Sequence, residues 1–315
     1  MRLDLVVAQR FALSRRAARD AVRAGRVDVA GEVSDEPGAD VPEDVPLRYD
    51  PNRPERRRVR SLLSVLAEDE HFLIVDKPAG LLSVQTAEHE SDTLFSRALA
   101  YLQHRYRRRA WAGVVHRLDK DTSGALVFAR TREALQALQA QFRAHRIERE
   151  YVALVEGDVE RAGVFDAPLV RDRGDRRRGV ARPGEPGLSA VTRYRPLERF
   201  GKATLVSVRL ETGRTHQIRV HFSSAGWSVI GDAVYRRREG PPAAIAAPRQ
   251  MLHARTLGFD HPGTGKPVRV ESPIPADFAE VLEELRRREK LRKPSAAPDT
   301  RGVPAKKKPR VSSGR

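Results

Sequence analysis

The chain has no cysteine, only two methionines and two tryptophans, and no long apolar run. Without a thiol there is no cysteine nucleophile, which excludes nucleic-acid methylation through a cysteine adduct. The Cys-ligated zinc site of nucleobase deaminases is excluded as well, as are disulfides, iron–sulfur clusters and zinc knuckles. No segment approaches the roughly 20 apolar residues of a membrane span. The opening stretch MRLDLVVAQRFALSRR has no continuous apolar core and carries Asp4, so no secretory signal is expected and the cytoplasm is the default. A Gly-rich phosphate loop, a dinucleotide fingerprint and a carboxylate cluster are also missing, so neither a cofactor nor a metal is expected.

Acidic residues are in deficit: 42 Asp and Glu face 59 Lys and Arg, for a formal net charge of +17. Such an excess fits a polyanionic partner, nucleic acid before membrane, because neutralised phosphates release counterions. Arg supplies 50 of the bases and Lys 9. Genomic bias can set that ratio, but by itself it does not leave bases outnumbering acids. With 315 residues, 40% hydrophobic and 32% charged, the chain can bury a full core and form about two domains.

Residues 1–50 read as a small domain. Ser14 caps a basic helix from Arg15 to Ala24, Gly25 ends it, and a strand over Val27 to Val29 follows. The first thirty residues carry +4, whereas residues 31–50 carry −6. Residues 51–60, PNRPERRRVR, read as a solvated linker. Residues 61–292 mix short apolar strands (71–77, 125–130, 151–157, 204–210) with amphipathic helices, one capped by Thr131 and one over 276–292. Strands outnumber helices and do not alternate strictly with them. That predicts an α+β fold with a mainly antiparallel sheet rather than a doubly wound one. Residues 293–315 hold seven basic residues and one acid among Pro, Ser and Gly, and are expected to be disordered.

The most informative segment is GVVHRLDKDTSGALVFART, residues 113–131. It predicts a strand running into a polar turn that carries His116, Arg117 and Asp119. Taken alone, Asp119 reads first as a solvent-facing turn residue. Asp-Thr-Ser-Gly also loosely resembles the aspartic-protease turn, but only one such turn is present and a protease dyad needs two carboxylates.

The company of this segment changes its reading. His-Arg-Leu-Asp followed by Thr-Ser-Gly resembles the signature of the pseudouridine synthases of the large RluA-type family. VDKPAGLLSV (75–84), EREYVALVEG (148–157), LETGRTHQIRVHFSSAG (210–226) with IGDAVY (230–235), and LHARTLGFDHP (252–262) resemble further family motifs, in the family's order. The N-terminal unit resembles an S-four type RNA-binding domain, with Arg15, Arg16 and Arg19 on its expected RNA face.

The resemblance implies isomerisation of uridine to pseudouridine in structured RNA; a monomer is the default expectation. It implies large-subunit ribosomal RNA as the substrate before transfer RNA; a non-catalytic RNA-binding or ribosome-assembly factor is the alternative. Asp119 matches the catalytic carboxylate, which must stay ionised and oriented to act. Arg214 matches its basic partner, Tyr151 the active-site tyrosine and Ile218 an apolar position beside the base. Arg117 either fills the gap left by an extruded nucleotide or grips phosphate. His116 is either a substrate contact or structural. The basic stretches HRYRRRAW (104–111) and RDRGDRRRGVAR (171–182) are expected along the RNA path.

Overall fold

Ser14 and Gly25 bracket a helix as their residue types require. In the computed structural model the Ser14 hydroxyl accepts from the Ala17 N–H at 3.1 Å, and Gly25 adopts φ +67° just past α2 (Arg15–Arg23). A preceding helix, α1 (Leu3–Arg10), has no side-chain cap, which is why no start signal marks it in the sequence. Tertiary burial holds it instead. Leu3 and Val7 of α1 pack on Ala18, Ala21 and Val22 of α2 and on Val27. Strands β1 (Val27–Val29), β2 (Glu32–Ser34) and β3 (Leu47–Tyr49) make an antiparallel sheet with β1 in the centre.

The structure describes residues 1–53, 63–86, 90–106, 110–171, 177–236 and 243–292. Most of the linker at 51–60, residues 107–109 and 172–176 of the two basic stretches, and the tail at 293–315 lie outside them. The chain forms two compact units. One comprises Met1–Arg149 with Ala254–Pro273, the other Glu150–His253 with the described residues from Ile274 onward.

In the first unit, beyond the N-terminal domain, lie β4 (Ser64–Glu68), β5 (Phe72–Lys77), α3 (Leu94–Tyr106), β6 (Gly113–Val114), β7 (Ser123–Ala129) and α4 (Arg132–Arg143). Strands run in the order β4-β5-β7-β14, with β14 spanning Leu252–Asp260, β15 (Pro267–Glu271) on β14 and β6 on β7. Strand β7 is buried along its whole length, as its unbroken SGALVFA run requires. Helix α4, capped by Thr131 at 3.1 Å, lays Ala134 and Leu138 on Ile74, Val127, Leu257 and Phe259.

The second unit holds β8 (Glu148–Glu156), β9 (Gly163–Asp166), β10 (Leu169–Val170), β11 (Gly179–Val180), β12 (Val191–Arg199), β13 (Ala203–Leu210), α5 (Gln217–Ser224) and α6 (Ala276–Arg292). Its strands run β8-β13-β12-β9, all antiparallel. Helix α6 buries Phe278, Val281, Leu282 and Leu285, spaced for one helical face, against Val152, Leu154 and Leu205. The β10–β11 pair and α5 share the small cluster Leu169, Ala190 and Val220. The α+β class with a mainly antiparallel sheet agrees with the pattern in the sequence. Among the described residues no helix is long and apolar enough to cross a membrane.

Candidate active site

Asp119 lies on the irregular segment between β6 and β7, and its carbonyl accepts from the Thr122 N–H at 3.1 Å to close a turn. Asp119 is half-buried, with Leu118 buried on one side and Arg117 and Lys120 exposed. Two buried side chains grip the backbone on either side of it. The Ser83 hydroxyl donates to the Leu118 carbonyl at 2.7 Å and accepts from the Leu118 N–H at 3.0 Å. The fully buried Lys77 ammonium donates to the carbonyls of Pro78, Lys120 and Thr122 at 3.0, 2.7 and 2.9 Å. Three carbonyls satisfy the three donors of an ammonium, which is how a lysine is tolerated in a core.

The Thr-Ser-Gly that follows has its own requirement. Gly124 adopts φ +119°, and a Cβ there would stand 2.2 Å from the Ala254 carbonyl oxygen. Only glycine lets β7 approach β14 at this point. The segments 113–131 and 252–262, far apart in sequence, thus meet backbone to backbone.

His116 turns toward the interior. Its Nε2 accepts from the Val127 N–H at 3.3 Å, and its ring stacks on Phe142 with centroids 4.8 Å apart. Burial, and then the nearby Arg149 guanidinium, push its pKa down to about 3, so the ring is neutral at ordinary pH. Arg117, next in sequence, is exposed.

Tyr151, Arg214 and Ile218 belong to the second unit. Tyr151 is buried on β8 opposite Val208 of β13. Arg214 lies in the turn between β13 and α5. Its side chain is exposed, and its Nε donates to the Ser189 carbonyl at 2.9 Å. Ile218 is buried in the first turn of α5. The helix is entered through His216, a non-glycine residue at φ +60° whose Nδ1 lies 2.8 Å from the Tyr235 hydroxyl. One turn on, Arg219 forms a buried bidentate pair with Asp232 at 2.7 and 3.0 Å. Burial opposes ionisation of Asp232. Arg219 and the N–H groups of Val234 and Tyr235 outweigh it and hold the carboxyl below its usual range. The motif IGDAVY is thereby tied to α5.

The three N-terminal arginines part company. The Arg16 side chain is 95% exposed, with a 4.0 Å contact to Asp20, and Arg15 is exposed. Arg19 instead lies 3.5 Å from the fully buried Asp4, which also takes a two-point contact from Arg2 at 3.1 Å. Arg19 therefore holds α2 to α1.

Among the described residues one group has metal-ligand spacing: Asp69, His71 and His261, their ligand atoms within 4.8 Å of one another. The Asp69 carboxylate already accepts from His261 Nε2 and from the N–H groups of His71 and Phe72, while His261 Nδ1 accepts from Gly263 and Thr264. Asp69 and His261 are thus paired with each other, whereas the His71 ring Nδ1 is buried without a hydrogen bond and only its backbone N–H meets Asp69. The group also lies before β5, at the opposite end from Lys77 and the Asp119 turn.

Lys77, Ser83 and Gln217 were not singled out from the sequence, although each lies in a recognised motif. The available signal was Lys77, a lysine two residues past the apolar run FLIV, since a buried lysine needs dedicated partners.

Residues 71–224 match the RNA pseudouridylate synthase family, and residues 1–45 match the S4 domain. A ribosomal large subunit pseudouridine synthase D of Pseudomonas aeruginosa is 46% identical over 71% of this chain and 72% of its own. An uncharacterized RNA pseudouridine synthase of Bacillus subtilis is 41% identical over 71% of this chain and 73% of its own. Among solved structures, human RNA pseudouridylate synthase domain containing 4 shares the fold with a TM-score of 0.59 at 24% identity, covering 71% of this chain and 93% of its own. The extent and identity of these matches carry the conclusion that the chain belongs to the RNA pseudouridylate synthase family and bears an S4 domain ahead of its catalytic part.

Proposed function

We propose that this enzyme isomerises uridine to pseudouridine in large-subunit ribosomal RNA, acting as a cytoplasmic monomer without metal or cofactor. Residues 1–50 are assigned to RNA binding and 61–292 to catalysis. The observation that carries the catalytic assignment is the Asp119 turn, clamped by Lys77 and Ser83 on the residues flanking the carboxylate. The substrate assignment rests on relatives named for the large ribosomal subunit.

The reaction breaks the bond between uracil N1 and ribose C1′, turns the base, and joins C5 to C1′. The C5 proton is lost and N1 gains one, so no atoms enter or leave overall. Attack by Asp119 at the ribose and attack at the ring both require an ionised, oriented carboxylate. Arg214 is the basic partner that keeps it ionised. Tyr151 stacks on the uracil and takes the C5 proton, and Ile218 supplies an apolar contact to the base. Arg117 occupies the gap left when the nucleotide leaves its stack. His116, neutral and held on Phe142, positions the strand leading to Asp119. Arg15 and Arg16 contact phosphate, with Arg19 behind them.

The test is tritium release from RNA labelled at uridine C5, comparing large-subunit ribosomal fragments with transfer RNA. Release from the ribosomal fragments supports the reading, and release from transfer RNA alone overturns the substrate. Tight RNA binding with no release from either would instead identify a non-catalytic assembly factor.

A further inference from the structure

Gln217 is buried, 2% exposed, and uses its whole hydrogen-bonding capacity. Its Oε1 accepts from the Thr212 hydroxyl at 2.8 Å and from the Arg214 backbone N–H at 2.9 Å. Its Nε2 donates to the Val191 carbonyl at 3.0 Å and to the Thr192 hydroxyl oxygen at 2.9 Å. The amide orientation follows from its partners: a carbonyl demands a donor and a backbone N–H demands an acceptor.

The same logic fixes the next groups. His221 Nε2 faces the Ala167 carbonyl at 3.0 Å, so that nitrogen carries the proton. Nδ1, 2.8 Å from Thr192 Oγ1, is then the acceptor, and the Thr192 hydroxyl donates to it. Burial pushes the His221 pKa down, which keeps this arrangement at neutral pH. The polar groups from Ala167 to Arg214 form a directed chain with one consistent set of donors and acceptors.

The chain ends on a strained turn. His216, between Arg214 and Gln217, has φ +60°, a conformation that costs a non-glycine residue free energy and persists only where the surroundings impose it. Arg214 is exposed, so packing does not orient it; its backbone is held by Gln217 and its Nε by Ser189.

We propose that Gln217 is the positioning residue of Arg214: it fixes the backbone from which the guanidinium is presented and does not itself meet substrate. This rests on the assignment of Arg214 to the catalytic site. A misplacement of about 1 Å at such a site can cost 10²-fold in rate.

Two variants and two readouts test it. Gln217→Met keeps the length of the side chain and removes all four bonds. Thr212→Val is milder, removing one bond to Gln217 and the one Thr212 accepts from Val191. In single-turnover tritium release, Gln217→Met is expected to be slowed about 10- to 100-fold and Thr212→Val about 3- to 10-fold, with RNA affinity within threefold of the parent. In an Arg214→Ala background, Gln217→Met should cost less than threefold more, because the residue through which it acts is already gone. The same fold-loss with and without Arg214, or full activity of Gln217→Met, would overturn the proposal. If Gln217→Met does not fold, the same two comparisons are made with Thr212→Val.

The second readout needs no activity. The Arg214 amide should be protected from hydrogen exchange in the parent and exchange at least tenfold faster in Thr212→Val or Gln217→Met, with β8 and β13 amides unchanged. Equal exchange in parent and variants would overturn the proposal even if the parent modifies RNA. A parent that releases no tritium, yet shows this protection, would overturn the functional reading alone.

Discussion

The turn that carries Asp119 and the turn that carries Arg214 solve one problem by different means. Both present a charged side chain from irregular backbone, and both are pinned from the inside by side chains rather than by a strand ladder. The Asp119 turn is held by a buried cation, Lys77, and by Ser83, which grips one residue by both its N–H and its carbonyl. The Arg214 turn is held by a neutral amide, with no charge in its grip. A buried ammonium suits a turn whose inward groups are carbonyls and whose outward group is a carboxylate. An amide, donor and acceptor at once, suits a turn that shows one N–H inward and whose outward group is already cationic. The polarity of each support follows the backbone groups it must satisfy.

Removing the cation should have the largest effect. Lys77→Met leaves the buried Thr122 carbonyl and the part-buried Pro78 and Lys120 carbonyls without this donor, and a buried orphaned acceptor costs about 1–3 kcal/mol. We expect denaturant-derived stability to fall by about 2–3 kcal/mol and tritium release to be lost. A stable, active Lys77→Met would break the comparison, since the Asp119 turn would then hold itself. Ser83→Ala should be milder, with a stability loss of about 1–3 kcal/mol and a slower rate at unchanged RNA affinity.

A different contrast lies within α2. Converting Arg15 and Arg16 together to Ala should weaken RNA binding and flatten the log–log salt slope by roughly 0.7–0.9 per lost phosphate contact. Arg19→Ala should instead lower the stability of the N-terminal domain, because Arg19 partners the buried Asp4. If Arg19→Ala changed the salt slope as much as the double variant and left stability intact, the distinction between them would fail.

The smallest effect is one of pH. His116 is held neutral, its pKa lowered from 6.5 to about 3. Between those values the unfolded chain takes up a proton that the native ring refuses. The stability tied to the neutral ring is therefore full above pH 6.5 and declines as pH falls toward 3. Urea midpoints at pH 7 and 4.5 should fall closer together in His116→Gln than in the parent. An equal drop in both proteins would mean that His116 carries none of the acid sensitivity.

Unbroken apolar runs marked β5 and β7, and the caps Ser14 and Thr131 marked α2 and α4, because each signal is local. Helix α1 was missed because it has no cap and depends on burial against α2. Among the residues proposed for catalysis, Asp119, Tyr151 and Arg214 stand out in the sequence through the motifs around them. Their supports did not, because a lysine that meets carbonyls more than forty positions away has no local signature. The same holds for Arg19, whose partner Asp4 belongs to another helix, so it reads in sequence like its exposed neighbours Arg15 and Arg16.

The proposed chemistry centres on one carboxylate, and Asp119→Asn addresses it directly. The carboxamide fits the same turn, and the contacts of Lys77 and Ser83 are to backbone, so folding and the approach of RNA are expected to survive. The measurement is single-turnover tritium release from C5-labelled RNA with enzyme in excess, alongside the Kd for the same RNA. The account predicts no release above background with a Kd within a few-fold of the parent. Substantial release by purified Asp119→Asn would contradict it, because the reaction would then proceed without the group that both turns were inferred to serve.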